Sequence, residues 1–253
     1  MQDGVRRESE SRVECGALSR YELDAWRDRF GIVAGVTGRE ADFRITASRP
    51  DESAQDGAAG LGRLTAALDG FDSVAASRQR HGAEIVVHEK SSALWLGDGF
   101  DGHVTRRPGL LLAVTVADCI PVYLAHPSTG TVALLHAGWR GTAAGIVEQG
   151  IRAVCDATVG GPSEIIMHCG IGICGACYEV GHEVRQAVGG ERRVSGNRLD
   201  LRRALADRAR AVGVTEVTVS SWCSAHDHDR FHSHRLSGGR DGRMAAYLGQ
   251  PVG

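Results

Sequence analysis

The sequence predicts an α+β fold, a single domain with mixed β-sheets flanked by helices. Apolar runs of strand length fill the middle of the chain, helical spacing appears between them, and no repeat or linker divides the pattern. At 253 residues with 42% hydrophobic content, the chain can bury one sizeable core. The opening twelve residues are polar, so residues 1–15 are expected to fray and 16–253 to form the domain. Ser19 could cap a helix running to Phe30 and ending at Gly31. Strands are expected over 32–36 and 43–47. The Pro/Asp/Ser/Gly-rich stretch 49–60 reads as a loop, and Leu61 to Leu68 has helical spacing. Strands at 74–78 and 84–88 leave Arg80-His81-Gly82-Ala83 on the turn between them. Pro108-Gly109 turns into a strand over 110–116, and Pro127-Ser128-Thr129-Gly130 is a hairpin loop before a strand over 131–135. A helix over 142–157, a strand over 164–168, a helix over 199–212 and a last strand over 215–220 complete the expected order.

Charge excludes some functions. The 29 basic and 31 acidic residues nearly cancel, which gives no footprint for nucleic acid or an acidic membrane surface. The first thirty residues are charged throughout, and the longest apolar stretch, Leu110 to Leu124, is interrupted by Asp118 and too short to span a bilayer. The expectation is a cytoplasmic protein without a membrane or nucleic-acid partner, its oligomeric state open and a monomer included. Seven cysteines, an odd number, fit a reducing compartment better than a disulfide scaffold.

Cys119 and His136 each follow an apolar strand, where a packed element ends and a loop begins. Such a pair could be a nucleophile and its base, or two ligands of a soft or borderline metal ion. A catalytic zinc site uses three protein ligands and keeps a fourth position open. His81, at another strand end and followed by Gly82, is the best third ligand. The competing reading is a buried thiol used for packing and hydrogen-bonded strand-end histidines.

The segments Gln79-Arg80-His81-Gly82, Asp101-Gly102-His103-Val104-Thr105, Ala117-Asp118-Cys119, His136-Ala137-Gly138-Trp139-Arg140-Gly141, Cys177-Tyr178-Glu179-Val180-Gly181 and Gly242-Arg243-Met244-Ala245 occur in order. Together they resemble the YfiH/laccase-domain family, variously called polyphenol oxidase, peptidoglycan editing factor and purine nucleoside phosphorylase. The resemblance implies the CNF1/YfiH-like fold and a zinc ion on His81, Cys119 and His136, the catalytic residues. It implies phosphorolysis of adenosine, inosine, guanosine and methylthioadenosine to base and ribose 1-phosphate, with adenosine deamination besides. Nucleoside and phosphate are then the partners.

Arg140 and Arg235 are candidates for binding substrate phosphate through bidentate contacts. Asp118 could orient a ligand histidine or cap a local turn. Copper is the alternative metal, and a polyphenol oxidase the alternative redox enzyme, but three ligands are few for paired copper centres. A cysteine hydrolase, or peptidoglycan editing enzyme, using Cys119 and His136 on a cell-wall precursor is the other alternative. His226, His228, His232 and His234 form two His-x-His pairs that would take copper or nickel if they converge. Cys169, Cys174 and Cys177 match an iron–sulfur spacing superficially and read as structural thiols. The chain departs from the family pattern in its N-terminal third, which keeps only Thr37-Gly38-Arg39, and at Phe231-His232-Ser233-His234-Arg235-Leu236.

Overall fold

The computed structural model describes residues 5–15, 18–45, 53–90, 92–189 and 194–253. Strands β1 (Arg6–Glu8), β2 (Ser11–Cys15) and β3 (Leu18–Glu22) precede helix α1 (Asp24–Phe30) and β4 (Val33–Thr37). Helix α2 (Ser53–Ala66) leads into β5 (Ser73–Arg78), β6 (Ile85–His88), β7 (Leu94–Asp98), β8 (Gly102–Thr105) and β9 (Leu110–Val116). The hairpin of β10 (Ile120–His126) and β11 (Thr131–Ala137) is followed by α3 (Trp139–Ala143) and α4 (Ile146–Asp156). The remainder runs β12 (Ile166–Cys169), α5 (His182–Val188), β13 (Val194–Ser195), β14 (Arg198–Leu199), α6 (Leu201–Ala211), β15 (Glu216–Ser220), α7 (His234–Ser237) and β16 (Met244–Gly249).

Fourteen of these strands form two seven-stranded mixed sheets, in the orders β1-β15-β12-β10-β11-β8-β6 and β2-β3-β4-β16-β9-β5-β7. The α+β class is as expected. Side chains alternate across each strand, so a strand buried on both faces must be apolar throughout. In β10, Val122 and Leu124 pack under α4 and α6, while Tyr123 and Ala125 face the second sheet. In β9, Leu112 and Val114 face the first sheet, while Leu111 and Ala113 pack with Leu61 and Leu64 of α2. The result is four layers, helix, sheet, sheet, helix, with the deepest core between the sheets.

Several expectations change. Residues 6–8 and 11–15, expected to fray, are strands at the edges of the two sheets. Glu10 between them is buried, with Oε1 3.1 Å from His168 Nε2 and Oε2 accepting from Ser220 Oγ at 2.6 Å. That anchor is long-range and leaves no local signal. The expected helix start at Ser19 is strand β3, and only α1 is helical, ended by Gly31 at φ 66°. Of the expected loop 49–60, residues 53–60 all lie inside α2, and 49–52 lie outside the described residues. The loop-like glycines there are points of close approach: a Cβ on Gly57 would lie 2.7 Å from the Arg44 carbonyl, and on Gly60 3.1 Å from the Phe43 ring. Phe43 to Ile45 pair with no strand, and the rest of that expected strand lies outside the described residues. Gly145, at φ 85°, splits the helix expected over 142–157 into α3 and α4. β16 was not expected. It is alanine-rich and lacks β-branched residues, yet it pairs with both β4 and β9.

Leu112 is fully buried between the sheets. Leu112→Ala should lower stability by about 2–5 kcal/mol in urea unfolding, whereas replacing the exposed Val159 by alanine should change it by less than about 0.5 kcal/mol.

Candidate metal centre

Topology gathers the site at one end of the sheets. The chain crosses from the second sheet to the first three times, between β5 and β6, between β7 and β8 and between β9 and β10. His81 lies on the first crossing, Asp101 on the second and Cys119 on the third. Register pairs Pro121 with His136, so Cys119 sits beside the end of β11. β11 also pairs Leu135 with Gly102, and β6 pairs Ile85 with Gly102, which brings Asp101 and the His81 turn to the same end. Gln79 braces the first crossing against the end of β9: its amide donates to the Thr115 carbonyl at 2.9 Å, and its Oε1 accepts from the Thr115 N–H at 2.7 Å.

The ligand atoms of His81, Cys119 and His136 all lie within 4.8 Å of one another. The two imidazole rings meet edge to face, centroids 4.7 Å apart. His136 is buried, Cys119 half-buried and His81 exposed, so the trio closes inward and opens outward. Gly138 makes room, since a Cβ there would lie 3.0 Å from Cys119 Sγ and 3.2 Å from His81 Cδ2. Two imidazoles and a thiolate with one open side suit a zinc ion that keeps a position for water or substrate.

Asp101 organises two of the three. Its fully buried carboxylate accepts from His136 Nδ1 at 2.8 Å and from the N–H groups of Arg80, His81 and Gly82 at 3.0, 2.9 and 2.8 Å. The Asp101 carbonyl accepts the His136 N–H at 2.7 Å. The bond to Nδ1 leaves Nε2 of His136 free for a metal. The N–H bonds hold His81 at φ 59°, a left-handed conformation costly for histidine. Burial opposes the Asp101 charge, but the His136 ring and the Gly82 and Arg80 N–H groups outweigh it and hold the carboxyl below its usual value.

The same balance governs Cys119 and His136. Burial would raise the thiol, yet His136 and His81 bring it down to about 6. Burial would likewise disfavour a charged His136, yet the Cys119 thiolate and Asp101 raise it to about 9. Without metal the pair is therefore a thiolate and an imidazolium near neutral pH.

The trio opens on a pocket of about 610 Å³. Arg140 lines it but is exposed, its guanidinium 4.4 Å from the centre of the Trp139 ring. Arg235 also lines it, donating to the Glu179 carbonyl at 2.6 Å and lying over the Tyr178 ring. Asp118 does not hold a ligand histidine through its hydrogen bonds. At φ 82° it accepts from Ser224 Oγ, Ser233 Oγ and the Arg235 N–H at 2.7, 2.8 and 2.6 Å, tying the late loop to the Cys119 turn. The histidine-orienting carboxylate is Asp101, which sequence reasoning left without a role. Also missed were Arg44 and Arg243, which line the pocket from opposite ends of the chain. Burial and the nearby Arg44 both lower the Arg243 pKa.

The four late histidines disperse. His226 faces Cys174, the His228 carbonyl accepts from Arg39, His232 is buried against the Ala41 carbonyl, and His234 lines the pocket. Cys169 is a buried thiol beside the Arg202 carbonyl, as expected of a structural cysteine.

A zinc ion bound at the trio would have to displace the proton that His136 carries. Between about pH 6, where Cys119 ionises, and about pH 9, where His136 does, each bound zinc should release one proton. Apparent affinity should then rise about tenfold per pH unit and level off above that window. Chelator competition, following the metal that is lost in Cys119→Ala, measures it; a flat profile would contradict the assignment.

The geometry has counterparts in known proteins. The sequence profile of a family described as multi-copper polyphenol oxidoreductase laccase matches residues 41–250. A Deinococcus radiodurans protein named purine nucleoside phosphorylase is 37% identical over 231 residues, covering 87% of this chain and 86% of its own length. Adenosine deaminase RL5, from an unknown prokaryotic organism, is 33% identical over 206 residues, covering 72% and 78%. The crystal structure of YlmD from Geobacillus stearothermophilus superposes with a TM-score of 0.77 at 28% identity, over 98% of this chain and 99% of that one. The matched span holds all three crossings, the Asp101 carboxylate and the pocket, and by it this chain belongs to the YfiH/laccase-domain family.

Proposed function

We propose that this protein is a cytoplasmic, zinc-dependent purine nucleoside phosphorylase, with adenosine deamination as a second activity. Its substrates are adenosine, inosine, guanosine and methylthioadenosine, which phosphate splits into base and ribose 1-phosphate. The observation that carries the reading is the thiolate and two imidazoles opening onto a pocket that also holds Arg44 and Arg243. The names of the relatives, purine nucleoside phosphorylase and adenosine deaminase, support it.

His81, Cys119 and His136 would hold the zinc, which when bound polarises a substrate oxygen or lowers the pKa of water. The rest falls to side chains of this chain. Arg44 and Arg243 face one pocket as two like charges, an arrangement that a phosphate dianion relieves. Tyr178 and Trp139 also line the pocket, each with an arginine over its ring, and such rings are flat apolar partners for a purine. In phosphorolysis the bond from ribose to the base nitrogen breaks, a phosphate oxygen bonds to that ribose carbon, and the base leaves with the electron pair. Arginines that fix the phosphate oxygen near the ribose supply the orientation this displacement requires. Among the described residues no helix is long and apolar enough to cross a membrane.

One observation favours a second reading. Asp101, His136 and Cys119 follow one another as in an acid-base-nucleophile relay, and the thiol is already lowered to about 6. A cysteine hydrolase would use that relay. Such a relay needs one imidazole, however, and here His81 also converges on the same sulfur. A copper oxidase is less well supported: among the described residues, no further group of three or more histidines gathers beside the trio.

Purified protein incubated with adenosine should release adenine only when phosphate is present, and Cys119→Ala should lose both one equivalent of zinc and that activity. Metal-free protein alkylated stoichiometrically at Cys119 would favour the hydrolase instead. Arg243→Ala should raise the KM for phosphate about 10- to 100-fold, the loss of a charged hydrogen bond, and change the KM for nucleoside much less.

A further inference from the structure

A second set of ligands lies outside the pocket. Cys174, Cys177, Cys223 and His226 each offer a ligand atom, all within 4.8 Å of one another. We propose that these four residues bind a structural zinc ion that clips the loop after β12 to the loop after β15.

The chain supplies two matching halves, Cys174-Gly175-Ala176-Cys177 and Cys223-Ser224-Ala225-His226, each a ligand pair separated by two residues. That is the spacing of zinc-binding turns. In the first half, the N–H groups of Cys177 and Tyr178 both donate to the Cys174 carbonyl, at 3.0 and 3.1 Å. In the second, the Asp227 N–H donates to the Cys223 carbonyl at 2.8 Å, and Asp227 Oδ2 accepts from the Cys223 N–H at 3.0 Å. Each turn thus aims both its ligands to one side.

The halves are joined by backbone. Gly172 and Cys223 form a parallel bridge, and the Ser224 N–H donates to the Gly172 carbonyl at 3.0 Å. The Cys174 N–H donates to Cys223 Sγ at 3.3 Å, a bond that stabilises a thiolate. Cys174 Sγ lies 3.7 Å from His226 Nδ1. A tetrahedral zinc with its usual bonds to sulfur and nitrogen sets that edge at about 3.6 Å. The spacing therefore fits one ion and is too tight for an iron–sulfur cage. No two of the described cysteines are joined in a disulfide.

Three thiolates and an imidazole complete four-coordination, which makes the site structural, whereas the first trio keeps a side open. Cys223 is buried, Cys174 and Cys177 are half-buried, and His226 is exposed. Cys174, Cys223 and His226 line a cleft of about 720 Å³ that gives a metal its way in. The clip stands behind the pocket wall. Tyr178 directly follows Cys177, the Arg235 guanidinium bonds to the Glu179 carbonyl, and Ser224 bonds to Asp118. The structural-thiol reading of Cys174 and Cys177 gives way to a ligand role.

The test uses the full chain with the first site disabled, His81→Ala/Cys119→Ala, loaded with cobalt(II). One equivalent should bind, with intense visible bands of a tetrahedral ion and thiolate charge transfer in the near ultraviolet. Adding Cys174→Ser and Cys223→Ser should abolish both. His226→Ala, at an exposed position that should not disturb folding, should weaken cobalt binding at least about tenfold. In the zinc-loaded protein, Cys174, Cys177 and Cys223 should resist alkylation and become labelled after chelation. No tight metal in the disabled variant, a cobalt spectrum indifferent to these substitutions, or equal alkylation with and without zinc would each overturn the proposal.

Discussion

A single buried carboxylate sets the geometry of the site. Asp101 accepts four hydrogen bonds, from an imidazole nitrogen and three consecutive backbone N–H groups, and is fully buried. An unpaired charge there would cost several kcal/mol, so the carboxylate forces its partners into place. One partner is the ring of His136, and another is the backbone of His81, held at φ 59°, both of them proposed metal ligands. Each charged bond contributes about 1.5–3 kcal/mol, enough together to offset about 1–3 kcal/mol of backbone strain.

The four-layer scaffold makes that constraint effective. Both sheets are rigid because their central strands are packed on two faces, and the chain passes between them at the His81 and Cys119 crossings. A ligand on such a crossing is fixed by two sheets at once. Asp118, also at positive φ, repeats the device on the other side of Cys119, where its carboxylate anchors Ser224, Ser233 and the Arg235 backbone. The two aspartates hold the front and back of one pocket. The Cys174–His226 clip lies one step behind the second.

What could be read from the sequence follows from how local each signal is. The central strands were legible because burial on both faces writes continuous apolar runs. Cys119, His136 and His81 stood out as reactive side chains at strand ends, and their motifs carried the resemblance to the family. Asp101 sits in one of those motifs, but an aspartate before a strand looks like a turn residue until His136, 35 positions away, is seen bonded to it. Arg44 and Arg243 meet only through the fold. The N-terminal strands depend on Glu10 finding His168 and Ser220 across the chain. The end of helix α2 showed in the helical spacing from Leu61, but its first part was hidden by glycines that serve close packing, and β16 by its alanines. The clip was half visible: Cys174 and Cys177 attracted notice, but their partners lie some fifty residues later.

The central claim is that Asp101 holds two ligands ready for the metal. In Asp101→Asn one acceptor oxygen becomes an amide donor facing N–H groups, with almost no change in size. Zinc affinity of the Cys174→Ser/Cys223→Ser protein, with and without Asp101→Asn, measured by chelator competition alongside thermal unfolding, tests this directly. The account predicts a loss of about 10- to 100-fold in affinity in a protein that still unfolds cooperatively. Unchanged affinity in a folded Asp101→Asn protein would contradict it.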